Sequence, residues 1–274
     1  MVPNFFDVIS NLDSKELPHD NWVRQFKLAG KRVRFFGDDT WLRLFPQTFD
    51  RSEGTTSFFV ADSVEVDQNV TRHVTRELES EDWDVLIFHY LGLDHIGHQG
   101  GPNEYETSRC AHFRQVQDSF LFLLLFLTGD SPQMRPKQVE MDAVIGMIYE
   151  HLKAQQAHRE KASLLVLCGD HGMTEVFFPS PFLFGCCFSQ SRLQIGNHGG
   201  SSDGEIMSAF VFVSPGTEGN TFGHTNVDRT APGVVNQIDL VPSLALLFGL
   251  PIPRNNRGAV IMDLINDGAS QLIF

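Results

Sequence analysis

Residues 84–98 read DVLIFHYLGLDHIGH, an apolar run that ends in a short segment rich in aspartate and histidine. The first half is typical of a buried strand, and the chain continues directly from it to Asp94. If the strand end turns into a helix, the four-residue spacing places Asp94 and His98 on one face, where both can bind a single ion. The stretch therefore predicts a strand followed by a pair of metal ligands.

A second apolar run, residues 162–168, ends in a similar way. It leads into Gly169-Asp170-His171-Gly172, where the two glycines allow the backbone a sharp turn. His198 follows in a glycine-flanked segment, GNHGG. Carboxylate oxygen with neutral imidazole nitrogen suits Zn²⁺ or Mn²⁺, and the set lacks the thiolates typical of structural zinc. The predicted metal ligands are Asp94, His98, Asp170, His171 and His198.

Each motif by itself has an ordinary alternative. Asp-x-x-x-His is common as an exposed helical pair, and Asp-His-Gly is common as a turn. Their occurrence just past two apolar strands, with a glycine-flanked histidine behind them, favours a functional site.

Helical and strand patterns alternate along the chain. Helical patterns occupy residues 21–29, 67–80, 136–155 and 239–248. Strand patterns occupy residues 32–36, 84–90, 162–168 and 206–213. This alternation predicts an α/β fold with a mostly parallel sheet covered on both faces, and 274 residues can bury one large core.

Two segments, residues 104–130 and 176–195, interrupt this alternation. Both are rich in aromatic residues without helical periodicity, and both lie beside the predicted site in the sequence. One interpretation is a lid or a membrane-touching surface. The other is a pair of poorly structured insertions, from non-coding sequence carried into the reading frame. We favour the second interpretation, which leaves residues 1–274 as one partial catalytic domain with insertions at those two places.

Charge and composition exclude some functions. The formal net charge of -13 argues against a nucleic-acid partner, because the 21 Lys and Arg form no basic stripe. No apolar run approaches the ~20 residues of a transmembrane helix, and the first residues do not resemble a signal peptide. Asn69-Val70-Thr71 is a glycosylation sequon, which matters only if the protein enters the secretory pathway.

The predicted ligands suit a pair of metal ions. Two ions about 4 Å apart polarise a phosphoryl oxygen, activate a nucleophile and stabilise the leaving oxygen of an in-line displacement. Such a centre needs about six protein ligands and a nucleophile, and the sequence supplies five ligand candidates. His224, in a polar loop, is the reserve candidate for a missing ligand.

Three further residues are weaker candidates for substrate contact: Asp38, Asp39 and His95. His95 neighbours the predicted ligands. The two aspartates follow a strand, where a hydrogen-bonding turn is at least as good an interpretation.

A resemblance to a known family rests on six segments: residues 36–41, 54–59, 69–73, 89–98, 168–173 and 237–242. In these segments the chain resembles the alkaline phosphatase superfamily, and within it the GPI ethanolamine phosphate transferases. The resemblance implies an alkaline-phosphatase-like three-layer sandwich with a mostly parallel central sheet, incomplete at the N-terminus. It also implies two divalent metal ions, zinc in the family, with manganese as the alternative.

The resemblance further implies a reaction and its partners. The family transfers phosphoethanolamine from phosphatidylethanolamine to a mannose of the GPI anchor precursor, at the lumenal side of the endoplasmic reticulum membrane. A membrane-spanning region and a small membrane subunit belong to the full-length protein. By the same resemblance Asp94, His98 and His198 hold one metal, while Asp170 and His171 hold the other.

The family places a threonine nucleophile and a further aspartate upstream of the region that corresponds to residues 2–7. We therefore expect the chain to be truncated at both ends, to lack the nucleophile and to be inactive alone. Two other functions remain open. One is a metal-dependent phosphodiesterase or phosphatase with water as the acceptor, and the other is a non-catalytic lumenal module.

Overall fold

The computed structural model describes residues 16–57, 59–80, 82–100, 133–156, 158, 163–174, 196–215 and 233–265. Within these ranges the helices are α1 (Trp22–Leu28), α2 (Thr40–Leu44), α3 (Glu65–Ser80), α4 (Gly92–Gly100), α5 (Met134–Gln156), α6 (Asp203–Ile206) and α7 (Leu240–Leu247). The strands are β1 (Val33–Asp38), β2 (Arg51–Thr55), β3 (Val85–Phe88), β4 (Leu165–Cys168) and β5 (Phe210–Val213). A short 3₁₀ turn, Gln237–Asp239, precedes α7. The predicted α/β class is confirmed.

The first three strands form a parallel sheet in the order β2-β1-β3. Central strand β1 is covered on both faces, because successive side chains of a strand point in opposite directions. Phe36 stacks on His73 of α3, with ring centroids 4.3 Å apart, whereas Phe35 stacks on Trp41 of α2 at 5.0 Å. Parallel pairing brings the carboxyl ends of the strands to one edge, and the chain leaves β3 at that edge to enter α4.

Helix α5 joins this sheet to the second strand pair. Its Val144 packs with Val74 and Leu78 of α3 in the core beside β3. On a neighbouring face of α5, Met141 and Ile145 contact apolar side chains of β4. The three-stranded sheet and the strand pair that lead to the predicted ligands therefore share one supporting helix.

Strands β4 and β5 pair antiparallel, in the register Leu165↔Val213 to Cys168↔Phe210. This direction was not predicted, because apolar periodicity indicates a strand but not the direction of its partner. The strand expected over 206–213 is shorter than predicted. Helix α6 takes up its first residue, and Glu205 in that helix accepts hydrogen bonds from the Ser202 backbone N–H and hydroxyl.

Some predictions lie outside the described residues. The interruptions at 104–130 and 176–195 do so, as does His224. Among the described residues, no helix has both the length and the apolar content needed to cross a membrane.

Candidate metal centre

Helix α4 presents Asp94 and His98 on one face. The predicted turn from strand to helix is confirmed, since α4 begins at Gly92, shortly after β3 ends at Phe88. His98 Nε2 lies 3.4 Å from Asp94 Oδ2. The i,i+4 spacing thus brings the two side chains together without help from the rest of the fold.

The segments after β4 bring two more imidazoles to the same carboxylate. His171 Nε2 lies 3.9 Å from Asp94 Oδ1, and His198 Nε2 lies 3.6 Å from the same oxygen. Asp94, His171 and His198 each offer one ligand atom, and these atoms all lie within 4.8 Å of one another. The two imidazole rings stack with centroids 3.7 Å apart. We call Asp94, His98, His171 and His198 the Asp94 cluster.

Backbone and hydroxyl hydrogen bonds hold the two histidine segments together. Thr174 N–H donates to the Asn197 carbonyl at 2.8 Å, and Asn197 N–H donates to Thr174 Oγ1 at 3.0 Å. The Thr174 hydroxyl donates in turn to the Asn197 carbonyl at 3.1 Å. Because Asn197 precedes His198, these bonds set the position of His198 relative to the segment that carries His171.

The outer nitrogens of two imidazoles are held by backbone carbonyls. His98 Nδ1–H donates to the Gly196 carbonyl at 2.8 Å, and His171 Nδ1–H donates to the Gly172 carbonyl at 3.0 Å. Both bonds fix the ring orientation and leave Nε2 as the atom that faces Asp94. Metal-binding histidines are commonly oriented by such a bond from the other ring nitrogen.

The electrostatics of the cluster favour an ionised carboxylate among imidazoles. Burial by itself raises the pKa of Asp94, but the hydrogen bond and the charge of His98 lower it below its usual value. The Asp94 carboxylate raises the pKa of His98. Burial, and then the nearby His171, lower the pKa of His198, which keeps that ring neutral near pH 7.

The residues fit a divalent cation. Asp94 Oδ1 is buried and accepts no hydrogen bond from any described residue. The separations of 3.4 to 3.9 Å from the Asp94 oxygens to the imidazole nitrogens exceed a strong hydrogen bond. Ligands at about 2.0–2.2 Å from a tetrahedral Zn²⁺ lie roughly 3.3–3.6 Å apart, which is close to the observed spacing.

Asp170 is the most open of the predicted ligands. Its side chain is 70% exposed, and its Oδ2 lies 3.6 Å from His171 Nε2. Its Oδ1 accepts the His171 N–H at 3.1 Å, and its carbonyl accepts the Gln237 amide at 2.5 Å. Asp170 therefore lies at the solvent-facing edge of the Asp94 cluster, where a second ion could be bound with His171.

The structure gives Asp38 and Asp39 local partners. Asp38 Oδ1 accepts the Thr40 N–H at 2.9 Å, which is the hydrogen bond that the turn interpretation predicts. Asp39 pairs with Arg43 at 2.9 Å, one helical turn later. Neither contact brings these aspartates to the Asp94 cluster, so their substrate role stays a prediction.

His95 and Asn69 lie on the two helices that flank this region. His95 is 1% exposed, and its Nδ1–H donates to the Asp62 carbonyl at 2.5 Å, so the ring faces the interior. Asn69 is half-buried within α3, and the hydroxyl of its sequon partner Thr71 is hydrogen-bonded to Tyr90. Substrate contact by His95 and glycosylation of Asn69 both stay predictions.

Sequence reasoning missed the residues that hold the ligands in place. Among them are Asp67, Gly97, Met173 and Thr174. Each acts on a residue that is distant in the sequence or through backbone atoms, and neither kind of contact leaves a spacing pattern. Gly97, within the predicted ligand helix, was the one available signal. Glycine lowers the stability of a helix interior, so its presence there indicates that close packing leaves no room for a side chain.

Comparison with known proteins places these residues in context. Residues 17–202 match the family described as Type I phosphodiesterase / nucleotide pyrophosphatase. The chain is 42% identical over 274 residues to "GPI ethanolamine phosphate transferase 2" of Aspergillus oryzae, covering 96% of this chain and 26% of that protein. It is 41% identical over 273 residues to the Candida albicans protein of the same name, covering 96% of this chain and 25% of the relative.

The human protein named "GPI ethanolamine phosphate transferase 2, catalytic subunit" is 39% identical over 264 residues, covering 96% of this chain and 22% of the relative. The chain thus spans about a quarter of the length of these curated relatives. No solved structure matches the chain significantly.

Proposed function

Because the chain belongs to the type I phosphodiesterase and nucleotide pyrophosphatase family, we propose that the Asp94 cluster is a metal centre for chemistry on a phosphate ester. The observation that carries the proposal is Asp94 itself. Its buried Oδ1 accepts no hydrogen bond from any described residue, while imidazole Nε2 atoms of three histidines lie within 3.9 Å of its carboxylate. A buried carboxylate lowers the free energy of unfolding unless a cation or a protonated partner compensates its charge.

The proposed ligand assignment divides the Asp94 cluster, together with Asp170, between two ions. Asp94, His98 and His198 hold the first ion, and Asp170 with His171 holds the second. We propose zinc as the metal, with manganese as the alternative, because the donors are imidazole nitrogen and carboxylate oxygen. The stacking of His171 on His198 supports neighbouring ions, since it places the two ligand sets side by side.

The proposed reaction is transfer of phosphoethanolamine to a mannose hydroxyl of a GPI anchor precursor, with phosphatidylethanolamine as the donor. In it the phosphorus–oxygen bond to the diacylglycerol breaks and a phosphorus–oxygen bond to the mannose forms, while the hydroxyl proton passes to the diacylglycerol oxygen. Bound metal ions would supply Lewis-acid stabilisation of the phosphoryl oxygens. The names of the relatives support the transferred group and the GPI acceptor. The proposal assigns no nucleophile among the residues of this chain.

The chain's own residues have a defined part in this reaction. Nδ1–H donation from His98 and His171 to backbone carbonyls holds both rings in ligand orientation. The exposed Asp170 carboxylate leaves the outer side of the cluster open to a phosphate ester from solvent or from a membrane surface.

The proposed setting follows from the same relatives. A GPI precursor and phosphatidylethanolamine are membrane lipids, so we place the domain at the lumenal face of the endoplasmic reticulum membrane. There it would act with a membrane-spanning region and a small membrane subunit of the full-length protein. Glycosylation of Asn69 would be consistent with that compartment.

A chimera tests the reaction. Residues 1–274 replace the corresponding segment of the Aspergillus oryzae relative, and microsomes that lack their own enzyme are assayed for labelled phosphoethanolamine on the GPI precursor. We expect transfer by the chimera, a loss of at least 100-fold with Asp94→Ala, and little change with the surface variant Lys27→Ala. A folded, metal-loaded chimera without transfer would contradict the proposed reaction.

A phosphodiesterase reaction with water as the acceptor is the second candidate. The family description and the exposure of Asp170 favour it, since water reaches that side of the cluster freely. The same assay distinguishes the two reactions, because hydrolysis releases free phosphoethanolamine and leaves the mannose acceptor unmodified. A third outcome, neither product and no bound metal, would favour a non-catalytic lumenal module.

A further inference from the structure

The first turn of α4 is capped by a residue from another helix. Asp67 lies on α3 and is 0% exposed. Its Oδ1 accepts the Leu91 N–H at 3.0 Å and the Gly92 N–H at 2.9 Å, 24 and 25 residues further along the chain. The first N–H groups of a helix have no partner within the helix, and a carboxylate there also compensates the positive end of the helix dipole.

A buried lysine completes the arrangement. Lys137 Nζ, on α5, lies 3.2 Å from Asp67 Oδ2 and 2.9 Å from Glu140 Oε2. Lys137 is itself 4% exposed, so the charge on Asp67 is compensated inside the protein. One carboxylate therefore connects α3, the start of α4 and α5.

The residue that begins α4 has no room for a side chain. A Cβ at Gly92 would lie 2.1 Å from Asp67 Oδ2 and 2.8 Å from the Ser63 carbonyl oxygen. Asp67 and the start of α4 can contact each other this closely only because residue 92 is glycine.

This contact lies one half-turn from a proposed metal ligand. Asp94 is the third residue of α4, so it belongs to the turn whose N–H groups Asp67 holds. His98 lies one turn further along the same helix. Metal ligands tolerate errors of only about 0.2 Å in distance, so a frayed or tilted first turn would move Asp94 out of reach.

We propose that Asp67 is a positioning residue, which caps α4 so that Asp94 and His98 meet the metal in binding geometry. The inference rests on the proposed metal centre. It gives a functional reason for a buried carboxylate that does not touch the Asp94 cluster. Partners that hydrogen-bond directly to metal ligands are worth 10- to 100-fold in metal affinity, and we expect Asp67, which acts through the helix backbone, to be worth the lower end of that range.

Glu77 provides a matched control for general destabilisation. It lies on the same helix, is also 0% exposed, and pairs with Arg34 of β1 and Arg51 of β2. These ion pairs hold the sheet rather than α4. Loss of Glu77 should therefore lower stability without changing the geometry of the Asp94 cluster.

The test is a titration of the purified chain with Co²⁺ alone, followed by its d–d absorption, together with urea unfolding of each variant. We expect Asp67→Ala to weaken Co²⁺ binding at least tenfold and to alter the absorption band. Asp67→Asn keeps the Oδ1 acceptor, so it should bind within about threefold of the unaltered chain. Glu77→Ala should lower the urea midpoint and leave Co²⁺ affinity within twofold.

A second variant pair tests the contact from the other side. Gly92→Ala puts a methyl group where the Asp67 carboxylate lies, whereas Gly146→Ala on α5 adds one where nothing lies within 4 Å. We expect the first to weaken Co²⁺ binding at least tenfold and the second to leave it unchanged. This pair decides the question if Asp67→Ala does not fold.

Two results would overturn the positioning role alone. In the first, Asp67→Ala and Gly92→Ala bind Co²⁺ as tightly as the unaltered chain. In the second, Glu77→Ala loses as much Co²⁺ affinity as Asp67→Ala. Failure of the unaltered chain to bind Co²⁺ would instead overturn the metal centre, and with it this inference.

Discussion

Gly97 lies directly against Met173, so closely that a Cβ at residue 97 would come within 2.1 Å of the Met173 sulfur. Gly97 precedes His98, and Met173 follows His171 by two residues. This contact joins the helix that carries Asp94 to the loop that carries His171. The distance between these two ligands therefore depends on the absence of a side chain at residue 97.

We expect Gly97→Ala to lower the free energy of unfolding by about 1–3 kcal/mol, the usual cost of overpacking. Met173→Ala in the same chain should remove most of that cost, because it deletes the atoms that the new methyl group meets. Urea unfolding of the two single variants and the double variant gives the coupling energy. Additive effects of the two substitutions would contradict the contact.

The two halves of the proposed metal centre should separate by mutation. Asp94→Ala removes the carboxylate that His98, His171 and His198 all face, so we expect loss of bound metal from both positions. Asp170→Ala removes only the exposed ligand and should lower metal content from two ions to one. Metal analysis of the purified variants after dialysis measures both effects. Unchanged metal content in Asp170→Ala would rule out its assignment as a ligand.

We expect the hydroxyl of Thr174 to matter for both stability and metal binding. Thr174→Val keeps the shape of the side chain but removes its hydrogen bonds with Asn197. Unfolding free energy should fall by about 0.5–1.5 kcal/mol, since the half-buried Asn197 N–H loses its acceptor, and Co²⁺ affinity should fall as His198 moves. Thr48→Val, at a turn where the hydroxyl donates to the nearby Pro46 carbonyl at 3.4 Å, is the matched control.

Stability should depend on pH through Glu77. Burial by itself raises the pKa of Glu77, but hydrogen bonds from Arg51 and Arg76 and the charge of Arg34 lower it below its usual value. A carboxyl whose pKa is lower in the folded state stabilises the fold when ionised. This stabilisation is complete above the ordinary glutamate pKa of about 4.3 and is lost as the pH falls through the lower folded value.

The measurement is the urea midpoint between pH 7 and pH 3. The unaltered chain should lose stability steeply below about pH 4, where the unfolded state binds the proton more readily. Glu77→Gln should be less stable at pH 7 and show a shallower decline. Parallel curves for the two proteins would mean that Glu77 does not contribute to acid sensitivity.

Local spacing was enough to predict one half of the site. Asp94 and His98 are four residues apart after an apolar strand, and a helix places i and i+4 on one face in any protein. The α/β class followed for a similar reason, because apolar periodicity reports which face of each element is buried. Strand β2 gave no such signal. It reads RSEGT, and it forms by pairing with β1 rather than by burying apolar side chains.

By itself, the sequence determined the residue types of the Asp94 cluster and the helix that carries two of them. Only the tertiary structure decided which imidazoles meet Asp94 and what holds them there. His98 is oriented by the carbonyl of Gly196, 98 residues away, and α4 is capped by Asp67 from a different helix. Helical spacing is a property of neighbouring residues, whereas these contacts form only when distant segments pack, and packing leaves no period in the chain.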